Sequence, residues 1–410
     1  MSVEYGVLVG VDWATQEHQV CALEANGAVL GERAFKHAGS GIEELVTWLD
    51  GFVAKHGTVA VGIETSHGPV VEALLDHGIA VFALNPMQLD RFRDRFTVAG
   101  AKDDRLDARV LADSLRTDRP AFRLLQVQDP LVIELREWSR MLEEIQVERG
   151  RLASRIRQQL WRYFPQMLTI TEDIDADWFL ELWKLIPSPS RVHRTRPMQV
   201  ETLLRSHRIR QTDARTVLKK LADQPLTVAA GTAEAATAHI AALVPRLGLL
   251  NTQHRDALKQ LRTLTDKIAE SSPGQKGEQR DVEILRSLPG VGRIVLATLL
   301  AEASEPLRNR DYHALRTLSG IAPVTRRSGK SKIVTMRHAC SLRMRVAVYH
   351  WARIAMQRDP ISRARYAAVR ARGHSHGRAL RGLADRLLQV ACAMLRNGAL
   401  FDPNRLPLAA

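Results

Sequence analysis

Cysteine is scarce in this chain: Cys21, Cys340 and Cys392 are the only three among 410 residues, and no two stand at a paired spacing. That excludes a disulfide framework and a thiolate zinc site, and it reads the three as small apolar residues in a reducing compartment. No apolar run approaches the roughly 18 residues that a membrane helix needs. The N-terminus has no basic stretch leading into an apolar one, so a soluble, cytoplasmic protein without membrane contact is expected. Acidic residues are missing from one region in particular. Between Arg326 and Arg381 there is a single one, Asp359, against fifteen Lys and Arg. This local excess matches the whole formal charge of +14, so the remainder is close to neutral and the first 55 residues are acidic. A polyanionic partner held by the C-terminal part follows.

What is present begins with a series of strands. Residues 5–12 form a short apolar run ending in a carboxylate, and 18–24 and 28–35 are parted by Asn26-Gly27, a two-residue hairpin signal. Ile42–Lys55 carries Leu45, Trp48, Leu49 and Phe52 at helical spacing, and Thr58–Ile63 is an apolar strand followed by Glu64. Residues 70–75 read as helix, 79–84 as a fifth strand and 104–115 as helix. Three strands, helix, strand, helix, strand, helix is the order of an RNase H-like α/β domain.

In that order the acids fall at one edge. Asp12 ends the first strand, Glu64 ends the fourth, and Asp104 and Asp107 sit three apart on one face of the following helix. Four carboxylates converging on one point repel each other unless a cation lies between them. All-oxygen ligands select a hard ion, so Mg²⁺ is expected, and two such ions about 4 Å apart activate both oxygens of a phosphodiester. Asp103 reads as a solvated helix residue beside the ligand Asp104.

Residues 131–159 place apolar side chains at alternating steps of four and three (Leu131, Leu135, Trp138, Leu142, Ile145, Leu152, Ile156), interrupted by Arg149 and Gln159. This is a coiled-coil seam, and Leu250, Ala257, Leu261, Leu264 and Ile268 form a second, to be paired within the chain or with another subunit. Residues 165–245 between them read as an irregular helical insertion, with Pro187-Ser188-Pro189 and Pro197. Ser271–Gly277 reads as a linker. Beyond it, Leu288-Pro-Gly-Val-Gly-Arg293 opens a helix at 294–302. Gly290, Gly292 and Arg293 there resemble a hairpin that holds phosphate on backbone N–H groups, with a plain helix start as the alternative. The helix at 341–357 is expected to turn Arg343 and Arg345 toward nucleic acid, and 361–396 is Arg-rich helix broken at Gly373–Gly377.

The tract Gly320–Lys332 sets Ser328 among Arg326, Arg327, Lys330 and Lys332. A serine oxygen attacks a phosphodiester only if its alkoxide is stabilised and the phosphate charge is neutralised, and these four cations suit both tasks. The alternative is a basic loop that holds phosphate and happens to contain serine. Ser331 is the competing nucleophile.

Gly10-Val-Asp12, Ile63-Glu64 and Lys102–Arg109 at one end, with Leu288–Gly292, Leu318–Pro323 and Ser328-Gly329 at the other, resemble the transposases of IS110 and IS1111 insertion elements. The resemblance implies a RuvC-like domain at 1–125 with metal ligands Asp12, Glu64, Asp104 and Asp107. It further implies a transposase domain at 276–410 whose nucleophile is Ser328, while the seams themselves make 126–275 a coiled-coil and helical middle for oligomerisation. It implies donor and target DNA, a guiding bridge RNA, a dimer or tetramer, and work on the bacterial nucleoid. The family usually has a small polar residue where this chain has Asp103, and its shortest members lack the insertion. The reaction implied is cutting and rejoining of DNA through a serine-linked intermediate. A metal-only nuclease, either a junction resolvase or a hydrolytic transposase, is the alternative, and a structural RNA–DNA-binding protein is the non-enzymatic one.

Overall fold

The computed structural model describes residues 4–84, 86–96, 103–127, 129–271, 281–329 and 331–403. Two compact units divide the chain, Met1–Gln128 and Asp129–Ala410.

The first unit contains β1 (Val7–Asp12), β2 (Glu17–Glu24), β3 (Val29–Lys36), α1 (Gly39–His56), β4 (Val59–Ile63), α2 (Pro69–Asp76), β5 (Ala80–Ala83), α3 (Pro86–Arg93), α4 (Asp104–Asp118) and β6 (Arg123–Leu124). The sheet order is β3-β2-β1-β4-β5-β6, with β1, β4 and β5 parallel and β2, β3 and β6 antiparallel to their neighbours. The expected strands and their helices are all present; α3 and the short β6 were not anticipated. Strands β1 and β4 are buried along their length, and this is why they read as unbroken apolar runs instead of alternating ones. One face packs Val9, Val11, Val61 and Ile63 against Leu45 and Leu49 of α1. The other receives α4.

Two glycines bring α4 down onto the sheet. A Cβ at Gly10 would lie 1.9 Å from the Ala108 carbonyl oxygen, and Gly62, its partner across the parallel pair, lies under Leu111 and Leu115. Leu8 packs with Val110, Leu111 and Leu115, whereas Gly10 lies under Ala108 and Ala112, so α4 runs antiparallel to β1. Its first turn therefore reaches toward the carboxyl end of β1, where Asp12 stands.

The second unit is almost wholly helical: α5 (Pro130–Tyr163), α6 (Asp177–Leu185), α7 (Pro189–Val192), α8 (Pro197–Ser206), α9 (Ala214–Leu221), α10 (Thr232–Ser271), α11 (Asp281–Ser287), α12 (Arg293–Glu302), α13 (Ser304–Arg308), α14 (Tyr312–Leu318), α15 (Leu342–Arg358), α16 (Pro360–Ala371) and α17 (His376–Asn397). A ribbon, β7 (Val324–Ser328) with β8 (Ser331–Thr335), interrupts them.

Helices α5 and α10 carry the two seams and pack on each other within the chain, with Leu135, Leu142, Ile145, Leu152 and Ile156 in one core with Leu250, Ala257, Leu261, Leu264 and Ile268. Cross-contacts Glu134 to Gln260, Gln146 to His254 and Arg149 to Asn251 make the pair antiparallel. Arg149, an interruption in the apolar pattern, donates to Asn251 at 2.8 Å and to Asp175 at 2.8 Å, and Asn251 in turn donates to Asp177. A polar network across the seam satisfies these groups and fixes its register. Most of the linker expected at 271–277 lies outside the described residues.

Candidate active site

Asp12 and Glu64 stand at the carboxyl ends of adjacent parallel strands, one position beyond the Val11–Ile63 pair. Gly10 and Asp12, two residues apart along β1, share the face on which α4 lies, and Glu64 follows directly on β4. Asp103 takes the N-cap of α4, accepting the Arg105 N–H at 3.1 Å, and this use leaves Asp104 as the first helical residue with its side chain exposed. Asp107 is only 3% exposed, and both its oxygens are taken by Arg93: Nε to Oδ1 at 2.6 Å and Nη2 to Oδ2 at 2.8 Å. Arg93 ends α3 and is steadied by Asp90 at 2.8 Å.

The fold thus sets Asp12 and Glu64 at the same end of adjacent parallel strands and points the first turn of α4, with Asp104, toward that end. Among the described residues, however, no group of three or more His, Cys, Asp or Glu is close enough to hold a metal ion. The donor set suits a hard divalent cation in kind, since it is entirely carboxylate. For Asp107 to join a metal shell, Arg93 has to withdraw. The sequence gives no sign of Arg93, which is one of many arginines and lies fourteen residues from its partner.

A buried histidine supports the loop that follows Asp12. His18 is fully buried, and its Nδ1 accepts the Ala14 N–H at 3.2 Å, so its proton resides on Nε2 and is donated to His37 Nδ1 at 3.0 Å. Burial, and then the neighbouring His37, hold its pKa below the ordinary 6.5.

The serine tract forms a hairpin. Ser328 pairs with Ser331 at the last rung before the turn, and Gly329 adopts a left-handed φ of 53°. Lys330 lies outside the described residues. Arg326 faces Ile333 and Arg327 faces Lys332, and every residue from Thr325 to Ser328 and from Ser331 to Thr335 is exposed. Two like charges directly opposed across a ribbon destabilise it unless an anion lies between them.

The other basic candidates have different surroundings. Arg343 ion-pairs with Glu143 and, at 3.0 Å, with Glu302, and donates to Ser139. Arg345 donates to the carbonyl of Arg337 and contacts Cys340 Sγ. Gly290 has φ 83°, and a Cβ there would meet Ala355 N of α15 at 2.6 Å. The Trp351 indole of the same helix donates to the Pro289 carbonyl at 2.9 Å, so this turn is packed against α15. Gly292 and Arg293 at the start of α12 are exposed, and no side chain caps that helix. No helix among the described residues is long and apolar enough to cross a membrane.

Comparison with known proteins agrees with both ends of the chain. Residues 9–165 match the transposase model of DEDD type from IS110 elements, and residues 282–367 match the Transposase IS116/IS110/IS902 family. The chain is 51% identical to the putative transposase y4uE of Sinorhizobium fredii over 210 residues, which is 50% of this chain and 58% of that relative. It is 30% identical to the mini-circle putative transposase for IS117 of Streptomyces coelicolor over 97% of its own length and 96% of the relative's. It is 26% identical to the uncharacterized 43.6 kDa protein of insertion element IS110 from the same organism, over 98% and 97% of the two chains. With transposase models matching at both ends and a relative aligned along nearly its whole length, the chain belongs to the IS110 family of insertion-element transposases, enzymes acting on DNA.

Proposed function

We propose that this transposase is a bridge-RNA-guided recombinase that cuts and rejoins DNA through a covalent bond to Ser328. One observation carries the reading: the serine stands at the end of an exposed hairpin whose rungs oppose Arg327 to Lys332, an arrangement that a phosphate between them would relieve. Three parts divide the work. Residues 1–125 are an RNase H-like, RuvC-like domain, 126–275 a coiled-coil middle for oligomerisation, and 276–410 the domain of the nucleophile. A dimer or tetramer in the cytoplasm brings the acidic edge of residues 1–125 and the serine to one phosphodiester. The guide RNA and the tetramer rest on the family resemblance; the basic C-terminal part supports a nucleic-acid partner of either kind.

In this mechanism Arg326, Arg327, Lys330 and Lys332 bind the scissile phosphate and lower the cost of the Ser328 alkoxide. The serine Oγ–P bond forms as the bond from phosphorus to the leaving sugar oxygen breaks, and that oxygen takes up a proton. Attack on the phosphoserine ester by a hydroxyl of another strand then restores a phosphodiester and frees the serine, so one high-energy linkage is kept throughout. Asp12, Glu64, Asp104 and Asp107 would hold the divalent cation, Mg²⁺ and two ions in this proposal, whose Lewis acidity stabilises charge on the phosphate oxygens. Arg93 steers Asp107 in the free protein. Exposed Gly292 and Arg293 are offered as a further phosphate contact.

Substituting Ser328→Ala should abolish protein–DNA adducts on a denaturing gel while Ser331→Ala keeps them. Adducts that persist in Ser328→Ala assign the attack elsewhere. Cleavage with free ends and no adduct in the wild type supports water as nucleophile and a metal-only nuclease.

A further inference from the structure

The insertion between the two long helices carries a second candidate site, and the inference goes beyond the recombination chemistry. Trp161, near the end of α5, is 70% exposed, the most exposed of the seven tryptophans, whereas Trp178, Trp183 and Trp351 are buried. It lines an open cavity of about 470 Å³ together with Arg162, Pro165, Leu226, Thr227, Val228 and Thr232. No acidic residue is in the lining. The segment leading into Leu226 is anchored, because Gln166, buried in the turn just after α5, donates through its amide to the carbonyls of Asp223 at 3.4 Å and Gln224 at 2.8 Å. Tyr163 Oη donates to the Pro187 carbonyl at 2.7 Å and holds that helix end from the other side.

Charge selects the occupant. From Arg149 to Tyr163 the helix has five arginines and no acid. Arg149 is committed to Asn251 and Asp175, Arg157 to the Glu172 carbonyl, and Arg162 donates to Gln159 on its own helix at 3.1 Å, but Arg151 and Arg155 are exposed and make no hydrogen bond or ion pair among the described residues. With a rise of about 1.5 Å and a turn of about 100° per residue, Arg151, Arg155 and Arg162 form a row on one helix face, spaced roughly 6 and 10 Å along the axis, and Trp161 stands at its end about a quarter-turn around the helix. A protein partner covering the tryptophan would desolvate these guanidiniums, whereas a polyanion neutralises them. An aromatic face at the end of a row of cations matches an unpaired base with its flanking phosphates.

We infer that Trp161 is a stacking platform for one base of a single-stranded nucleic acid, with Leu226 and Val228 closing over its other face and Arg151, Arg155 and Arg162 holding the backbone. Stacking requires an unpaired base, so duplex DNA does not use the site. The shared chemistry admits DNA or RNA.

The test measures binding of the full chain to fluorescein-labelled, mixed-sequence oligonucleotides of about 16 nucleotides, as single-stranded DNA, single-stranded RNA and duplex DNA. Trp161→Ala should weaken single-strand binding by about 5- to 150-fold. Trp161→Phe should keep most of it, and duplex affinity should stay within about threefold in both. A loss confined to RNA or to DNA assigns the source, and a loss for both assigns the base alone; either supports the site. Unchanged single-strand binding in Trp161→Ala, equal losses for strand and duplex, or a changed sedimentation coefficient with binding intact overturns it. Since Trp161 is outside the core, circular dichroism should show the same fold in both variants. Cleavage of DNA by Ser328 is not read by this assay, so its outcome is separate from that of the proposed mechanism.

Discussion

Replacing Arg93 by Leu tests how the acidic edge is built. Asp107 is almost wholly buried, its partner's side chain is 18% exposed, and the two share paired hydrogen bonds of 2.6 and 2.8 Å. A pair on the open surface is worth about 0–1 kcal/mol, but removing one member of a buried pair strands the other charge and costs about 3–5 kcal/mol. Only the lower end is expected here, since Arg93 reaches the surface. At about 4 °C per kcal/mol, where the ranges for smaller and larger domains meet, a loss of about 3 kcal/mol in Arg93→Leu should lower the melting transition of residues 1–128 by roughly 12 °C in calorimetry without divalent cations. Removing both charges, Arg93→Leu with Asp107→Asn, should recover a large part of that loss, because no buried ion is left. Mg²⁺ or Mn²⁺ then distinguishes structure from function. If Asp107 belongs to a metal shell, the bare carboxylate of Arg93→Leu binds the cation without displacing arginine, and the melting gap narrows as ion is added. No gap in the absence of metal refutes the burial argument; a gap indifferent to divalent ions refutes the place of Asp107 among the ligands.

Close backbone approach makes two glycines irreplaceable. Gly10→Ala drives a methyl group to 1.9 Å from the Ala108 carbonyl and should leave residues 1–128 unfolded, while Gly290→Ala, at 2.6 Å from Ala355 N and with positive φ, should cost the second unit about 3 kcal/mol or more; urea titration reads both. His18 titrates with the fold. Its pKa is depressed in the folded chain, so the unfolded chain binds more protons, and stability should fall as pH drops below the ordinary 6.5 toward the lowered value. The urea midpoint of residues 1–128 measured between pH 7.5 and about 5 should show that slope, and His18→Phe should flatten it.

How much was legible depends on whether the signal is local. The strand and helix order of the first unit followed from runs and periods of apolar residues, and the seams of α5 and α10 from their repeat, because burial of one face imposes that repeat on neighbouring residues. The serine tract was legible for its chemistry and not for its strands, although Val324-Thr-Arg-Arg-Ser and Ser-Lys-Ile-Val-Thr around Gly329-Lys330 carry the β-branched residues and glycine turn of a hairpin. Its charges obscured that pattern, since the ribbon is exposed on both faces and shows no apolar alternation. The basic side chains were indistinguishable by composition. Arg343 holds Glu143 and Glu302 some 200 and 41 positions away, whereas Arg327 stands exposed opposite Lys332.

The amino-acid sequence determined by itself the order of β1 to β5 with α1, α2 and α4, the concentration of positive charge near one end, and the acids at the ends of β1 and β4, since each is a property of residues close together along the chain. Tertiary structure alone decided that Asp107 is gripped by Arg93, that Gly10 and Gly290 are points of backbone contact, and that the two seams join each other. These depend on which distant segments meet when apolar faces are withdrawn from water, and neither spacing nor composition records such meetings.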